Sequence, residues 1–234
     1  MDSLPFMGNG TYAHFHDTSA HRDDFFLTRK LGPYSVLDAV FDGLTWGSGG
    51  SFASRSAAAK LREGKISSVD DVVQSLQAVN DELFNSGRIS YTTATVALKL
   101  GNELFVVNVG DSPAFLIRDG AVIELATLDR IAANSTMVQS SVGYNSSLAD
   151  KLHHAHETLR PDDRLVLATD GVTDNLYLKE IAGIVHDKRT PRQAMAALVQ
   201  LLEKKRQSNE GRRYGSGEFR IDDATVILRY FPPN

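Results

Sequence analysis

The stretch from residue 91 to residue 126, "YTTATVALKLGNELFVVNVGDSPAFLIRDGAVIELA", decides the fold. It carries short apolar runs rich in Val, Ile and Thr, punctuated by Gly101-Asn102 and Asp119-Gly120. Both dipeptides are hairpin signals, because Gly and Asn accept positive φ and Asp bonds to its own backbone. The stretch therefore reads as consecutive β-strands. Hairpin runs of this length argue against the strict βαβ alternation of a doubly wound sheet. They favour an α+β domain with helices packed on antiparallel sheets.

The flanking sequence supplies the helices. "HRDDFFLTRKLG" and "YSVLDAVFDG" read as two early strands. "WGSGGSFASRSAAAKLREG" reads as a glycine-rich loop opening into an alanine-rich helix. Ser68 caps a second helix with Asp71 as its return partner, and Val72, Leu76, Val79 and Leu83 form one apolar stripe on it. Residues 129 to 150 are polar and carry no clear period. "HHAHETLRPDDRLVLATDG" reads as a hairpin ending on the turn dipeptide Asp170-Gly171, followed by a helix in "LYLKEIAGIVHD". Thr190, Pro191 and Gln193 announce a last helix that buries Ala194, Ala197, Leu198, Leu201 and Leu202. "KKRQSNEGRRYGSGEFR" reads as a mobile, solvated loop, and "DDATVILRYF" as the closing strand.

A chain of 234 residues at 42% hydrophobic is enough for one domain with a proper core, and no repeat or linker divides residues 1–234. The net charge of −4 does not advertise nucleic-acid binding. The absence of cysteine excludes disulfides, thiolate metal sites and thiol nucleophiles. No apolar run is long enough to span a bilayer, and "MDSLPFMGNGTYAHF" has no signal-peptide pattern. The expectation is a soluble, cytoplasmic protein.

Aspartates recur at the edges of apolar runs: Asp42 in "AVFDG", Asp111 in "VVNVGDS", Asp170 in "VLATDG" and Asp222 in "RIDDATVIL", with Asp23 and Asp24 opening "DDFFL". One reading is a set of unrelated turn and cap residues. The other is convergence on a single sheet rim, where the carboxylates repel unless protonated or neutralised. A hard divalent cation is the usual neutraliser, and two such ions activate a shared water and clamp a phosphoryl group.

In order along the chain, these segments resemble the metal-dependent, type 2C serine/threonine protein phosphatases. "AVFDG" resembles that family's "VxDGxGG", "SYTTATVAL" its "SGTTA" strand, and "LFVVNVGDSPAFLIRDG" its "hxVANVGDSRAxLxRxG". "LVLATDGVTDNL" and "DDATVIL" are similar to "LLLCSDGLxD" and "DNxTVxV". The resemblance implies a four-layer αββα sandwich, with two central, mostly antiparallel sheets flanked by helices. It implies hydrolysis of phosphorylated Ser/Thr proteins by a hydroxide bridging two Mn²⁺ or Mg²⁺ ions. Asp42 then bridges the ions with the Gly43 carbonyl on one of them, Asp170 and Asp222 ligate the other, and Asp111 with Asp170 holds a third, weaker metal. Asp23 matches the early acid that orients the water, and Asp24 fits the same place. The implied partner is a phosphoprotein met by a monomer, with no nucleic acid or membrane.

The sequence departs from the family at several points. The early phosphate-gripping arginine is Thr18 here, leaving Arg22 or His21 as substitutes. "DGxGG" is stretched to "DGLTWGSGG", Leu44 stands where some relatives carry a histidine, and Pro113 replaces the arginine of "GDSRA". Proline removes an N–H, so the strand start after Pro113 is expected at an edge or bulge. The short interval between Asp111 and Asp170 implies a reduced flap, as in bacterial serine phosphatases of stress and sporulation switches. These departures keep a second reading open, a catalytically weak or inactive relative that binds a phosphoprotein or partner. A haloacid-dehalogenase-like phosphatase fails, because its second aspartate is replaced by Leu44 and its late acid by Phe115. His154 and His156 share a strand face but lack a third ligand, and "WGSGGS" lacks the Gly-Lys-Ser/Thr ending of a P-loop.

Overall fold

The computed structural model describes residues 7–44, 49–126, 128–131, 137–211 and 217–232. Trp46 and part of the glycine-rich loop lie outside them. Along the described chain run β1 (Thr11–Asp17), β2 (Phe25–Gly32), β3 (Ser35–Phe41), α1 (Gly50–Glu63) and α2 (Val69–Asn85). Then follow β4 (Ala94–Leu100), β5 (Glu103–Val109), β6 (Ala114–Arg118), β7 (Ala121–Glu124), β8 (His153–Thr158) and β9 (Asp163–Ala168). The chain closes with α3 (Asp170–Thr173), α4 (Leu178–Asp187), α5 (Pro191–Ser208) and β10 (Ala224–Phe231).

The strands form two five-stranded sheets, ordered β1-β10-β9-β6-β7 and β2-β3-β4-β5-β8. Neighbours in both pair antiparallel. Side-chain alternation splits each strand between two interfaces. On β4, Ala94, Val96 and Leu98 face the layer of α1 and α2, while Ala97 faces the other sheet. On β10, Val226, Leu228 and Tyr230 pack with α4 and α5, while Ile227 and Phe231 fill the space between the sheets. A strand covered on both faces reads as a largely apolar run, and every residue of β10 is buried, Arg229 included. The result is the expected four-layer αββα sandwich.

Local signals set the helices. The Ser68 hydroxyl accepts from the Asp71 N–H at 3.2 Å, the Asp71 carboxylate accepts from the Ser68 N–H at 3.0 Å, and the four stripe residues of α2 are buried. Thr190 caps α5 by accepting from the Gln193 N–H at 3.3 Å. Ala194, Leu198 and Leu202 are buried there, whereas Ala197 and Leu201 are half-buried. No helix among the described residues is long and apolar enough to cross a membrane.

Several readings need correction. β8 and β9 are not a hairpin: β8 pairs with β5 at the edge of one sheet, and β9 lies inside the other between β10 and β6. β5 and β6 likewise part company, the chain crossing between sheets over Gly110–Pro113. Pro113 precedes β6, an internal strand rather than an edge, and its carbonyl accepts from the Ala168 N–H at 3.1 Å. Asp170-Gly171 is not a turn of positive φ but the opening of α3. Glycine is needed at 171 because a Cβ there would lie 1.9 Å from the Asp223 carbonyl oxygen. β1 was not read as a strand from the sequence; it joins the sheet by pairing with β10. The segment read as a mobile loop begins as the last turns of α5 and ends at a pinned Arg220, residues 212–216 lying outside the described chain.

Candidate active site

Asp42, Asp111 and Asp170 come from three places in the topology and meet at one rim. Each offers a carboxylate oxygen, and the three oxygens lie within 4.8 Å of one another. Asp42 follows β3, and its backbone is locked by the entry to β4. Its N–H donates to the Thr93 hydroxyl at 3.0 Å, and its carbonyl accepts from the Thr93 N–H at 2.8 Å and the Thr92 hydroxyl at 2.9 Å. Asp111 sits in the crossover just after Gly110, whose φ of +91° and contact with Thr93 exclude a side chain. Asp170 leads off α3 at the end of β9. With Gly43, Leu44, Asp222 and Arg220 these residues line a cavity of about 400 Å³, to which Tyr91, Ile131, Met137, Val138 and Tyr144 add an apolar wall interrupted by Gln139 and Ser141.

Two arginines bridge the carboxylates. Arg130 Nε donates to Asp111 at 2.6 Å, and its terminal nitrogens reach Asp174 at 3.3 Å. Arg220 Nη1 bridges Asp170 at 2.5 Å and Asp174 at 2.6 Å, while Nη2 meets Asp222 at 2.5 Å. Two guanidiniums do not offset the negative charge. Burial, then the Asp170, Asp24, Asp222 and Asp111 charges, push the Asp42 carboxyl well above the usual carboxylate range. Burial and the Asp170 charge raise Asp111 to about 7 and Asp222 to about 6, against the pull of Arg130 and Arg220 respectively.

The early acids part ways. The Asp24 side chain is buried and accepts from the Thr169 hydroxyl at 2.8 Å and the Thr225 hydroxyl at 2.7 Å. Burial raises its pKa well above normal against those hydrogen bonds, and the charges of Asp223 and Asp170 add to the rise. Asp23 faces the other way and accepts from the Ser51 N–H at 3.0 Å, in the first turn of α1. Asp223 clamps this segment, taking the N–H groups of His21, Asp23 and Asp24 at 2.8, 2.6 and 3.2 Å. His21 Nε2 stands 3.7 Å from Asp222, and Arg22 is exposed with a φ of +68°.

Sequence reasoning missed Arg130, Asp174, Asp223 and Arg220 as parts of this constellation. Asp174 was visible four residues beyond Asp170. Arg220 was hidden in a basic, glycine-containing segment whose composition suggests solvent.

The donor set fits hard divalent cations. It is all oxygen, its carboxylates are crowded and partly desolvated, and their raised pKa values show a local shortage of positive charge.

Comparisons with known proteins bear on the fold and the family. The family described as Stage II sporulation protein E (SpoIIE) matches residues 48–231. A relative from Arabidopsis thaliana, "Probable protein phosphatase 2C 62", is 29% identical over 172 residues; the match covers 71% of this chain but 22% of the relative, so the chain spans less than a quarter of that protein. Among solved structures, the serine/threonine phosphatase Stp1 from Staphylococcus aureus superposes with a TM-score of 0.81 at 18% identity, covering 100% of this chain and 99% of that one. The catalytic domain of the serine threonine protein phosphatase PstP, in complex with 2 manganese ions, gives 0.75 at 20% identity, covering 95% and 98%. Since the SpoIIE model matches residues 48–231, most of the chain, and the Arabidopsis thaliana relative carries the name of a probable type 2C phosphatase, the chain belongs to the SpoIIE and type 2C, or metal-dependent, protein phosphatase family.

Proposed function

We propose that the protein is a metal-dependent serine/threonine phosphoprotein phosphatase that hydrolyses phosphomonoesters. The observation that carries this is the meeting of the Asp42, Asp111 and Asp170 oxygens at one cavity. Asp42, the Gly43 carbonyl, Asp170 and Asp222 would hold two Mn²⁺ or Mg²⁺ ions, with Asp111 and Asp170 at a third, weaker position. Two such ions supply a water acidic enough to attack phosphorus near neutral pH, together with charge for the phosphoryl oxygens.

The chain's own residues do the rest. Thr92 and Thr93 fix the Asp42 backbone, and α3 aims Asp170 from the opposite sheet. Asp24, rather than Asp23, is the early acid of the site, because its carboxylate feels Asp170 and Asp42 while Asp23 holds the start of α1. The apolar wall of the cavity receives the carbon skeleton of the phosphorylated residue and keeps bulk water from the reacting centre. A phosphorylated Ser or Thr protein is the substrate class, and a cysteine-free chain suits a reducing cytoplasm.

The test is p-nitrophenyl phosphate and phosphopeptide hydrolysis with Mn²⁺, with and without EDTA. Turnover that requires Mn²⁺ and vanishes in EDTA is the expected result. Turnover that persists in EDTA, or an aspartyl adduct trapped by beryllofluoride, overturns the mechanism.

A further inference from the structure

We propose that Arg220 is an exchangeable cation. In the metal-free protein it neutralises Asp170, Asp174 and Asp222; displaced by divalent ions, it binds the phosphoryl group of the substrate. The proposal rests on the phosphatase reading above and identifies what replaces the missing early arginine.

Three observations carry it. First, Arg220 takes one oxygen from each of two acids that the proposed metal site draws on: Asp170 Oδ2 and Asp222 Oδ2, each at 2.5 Å. A guanidinium and a divalent cation cannot share those oxygens without strong like-charge repulsion. Second, only the side chain has to move. The Arg220 N–H donates to Asn175 Oδ1 at 2.8 Å, and the Arg220 carbonyl accepts from Asn175 Nδ2 at 2.9 Å. Asn175 is anchored in turn, its Nδ2 donating to the Gly171 carbonyl at 2.8 Å. The Cα is therefore held while the long side chain swings about it.

Third, Arg220 is the one cationic side chain among the described residues that line the cavity. Its side chain is 25% exposed, whereas Arg130 is 9% exposed and held between Asp111 and Asp174. Thr18 supplies no charge at the early position, and Arg22 does not line the cavity. A planar guanidinium released at the mouth presents paired N–H donors to a phosphoryl dianion.

A merely structural ion pair predicts lower stability on mutation and nothing more. The experiment uses the full chain with Arg220→Ala and Arg220→Lys, folding being checked by circular dichroism. EDTA-stripped protein is titrated calorimetrically with Mn²⁺, and Mn²⁺-loaded protein with inorganic phosphate. Arg220→Ala is expected to bind Mn²⁺ roughly tenfold more tightly and phosphate roughly tenfold more weakly, since it removes both a competitor and a charged donor. Arg220→Lys falls between, and carries the test should the alanine variant fail to fold. With a phosphopeptide, KM rises more than kcat falls. Unchanged Mn²⁺ affinity in the folded variants overturns the exchange, and unchanged phosphate binding overturns the phosphoryl role. Wild-type protein that gives these titrations but hydrolyses nothing removes the phosphatase reading and leaves the exchange standing.

Discussion

Asp111 and Asp222 keep their protons to about 7 and about 6, against an ordinary carboxylate value near 4. Over that interval the folded metal-free chain binds protons that the unfolded chain has released. The stability they confer is complete below about pH 4 and is lost as the pH rises through 6 and 7. The melting temperature of EDTA-treated protein is therefore expected to fall between about pH 4 and pH 8. Saturating Mn²⁺ should flatten the profile. A metal-free profile that rises with pH contradicts the crowding of these acids. The same residues carry the catalytic predictions. Asp42→Ala and Asp222→Ala should each lower p-nitrophenyl phosphate turnover by roughly 10³-fold or more with the fold intact. Asp111→Ala should lose less and recover as Mn²⁺ is raised, which a metal titration of the rate checks. The meeting of Asp42, Asp111 and Asp170 at one rim was one of two readings that the strand-edge acids left open, and the family resemblance favoured it over unrelated turns and caps. Arg130 and Arg220 offered no such reading in the sequence, since a guanidinium in a basic, polar segment reads as solvated until its partners are placed beside it.

Elements that carry their own instructions were legible as well. The α2 capping box and stripe, the Thr190-Pro191 start of α5 and the positive φ at Asp119 and Gly120 all rest on neighbours within a few residues. Ser68→Ala should cost about 1 kcal/mol, read by urea denaturation. The α3 start is different, because its constraint comes from afar. Gly171 has to be bare for the Asp223 carbonyl, which lies more than fifty residues later in the chain. Gly171→Ala should cost about 3 kcal/mol and displace Asp170, so that stability and Mn²⁺ affinity fall together. A loss of stability alone would detach α3 from the site. The β8–β9 error has the same origin. Two strands joined by a short polar connection look like a hairpin, yet β8 alternates half-buried and exposed residues as an edge strand does, while β9 is an interior strand. Local sequence reports the turn and is silent on which sheet each strand enters.

Across the whole molecule, the two sheets are joined by an ion pair that sits in their common interior. Arg229 on β10 donates to Asp38 on β3 through Nε at 2.5 Å and Nη2 at 2.8 Å, with the Thr28 hydroxyl and the Asn9 carbonyl accepting two more of its N–H groups. Arg229→Met alone strands a buried carboxylate and should cost about 3–5 kcal/mol, whereas Arg229→Met with Asp38→Leu should recover most of that loss in chemical denaturation. No recovery in the double variant would mean that the pair matters through packing rather than charge. The layered architecture could be read from the order of strands and helices, but the partition of strands between sheets could not, because it depends on pairings far apart in the chain, such as Val40 with Thr95 and Thr11 with Tyr230. That partition bears directly on the cavity. Asp42 hangs from one sheet, Asp170 from the other, and Asp111 from the cord that passes between them. The three-carboxylate cluster is thus a gauge of alignment. A slip of one layer past the other by an ångström would open it while leaving each ladder zipped, and cation affinity would register that slip before any spectroscopic measure of secondary structure.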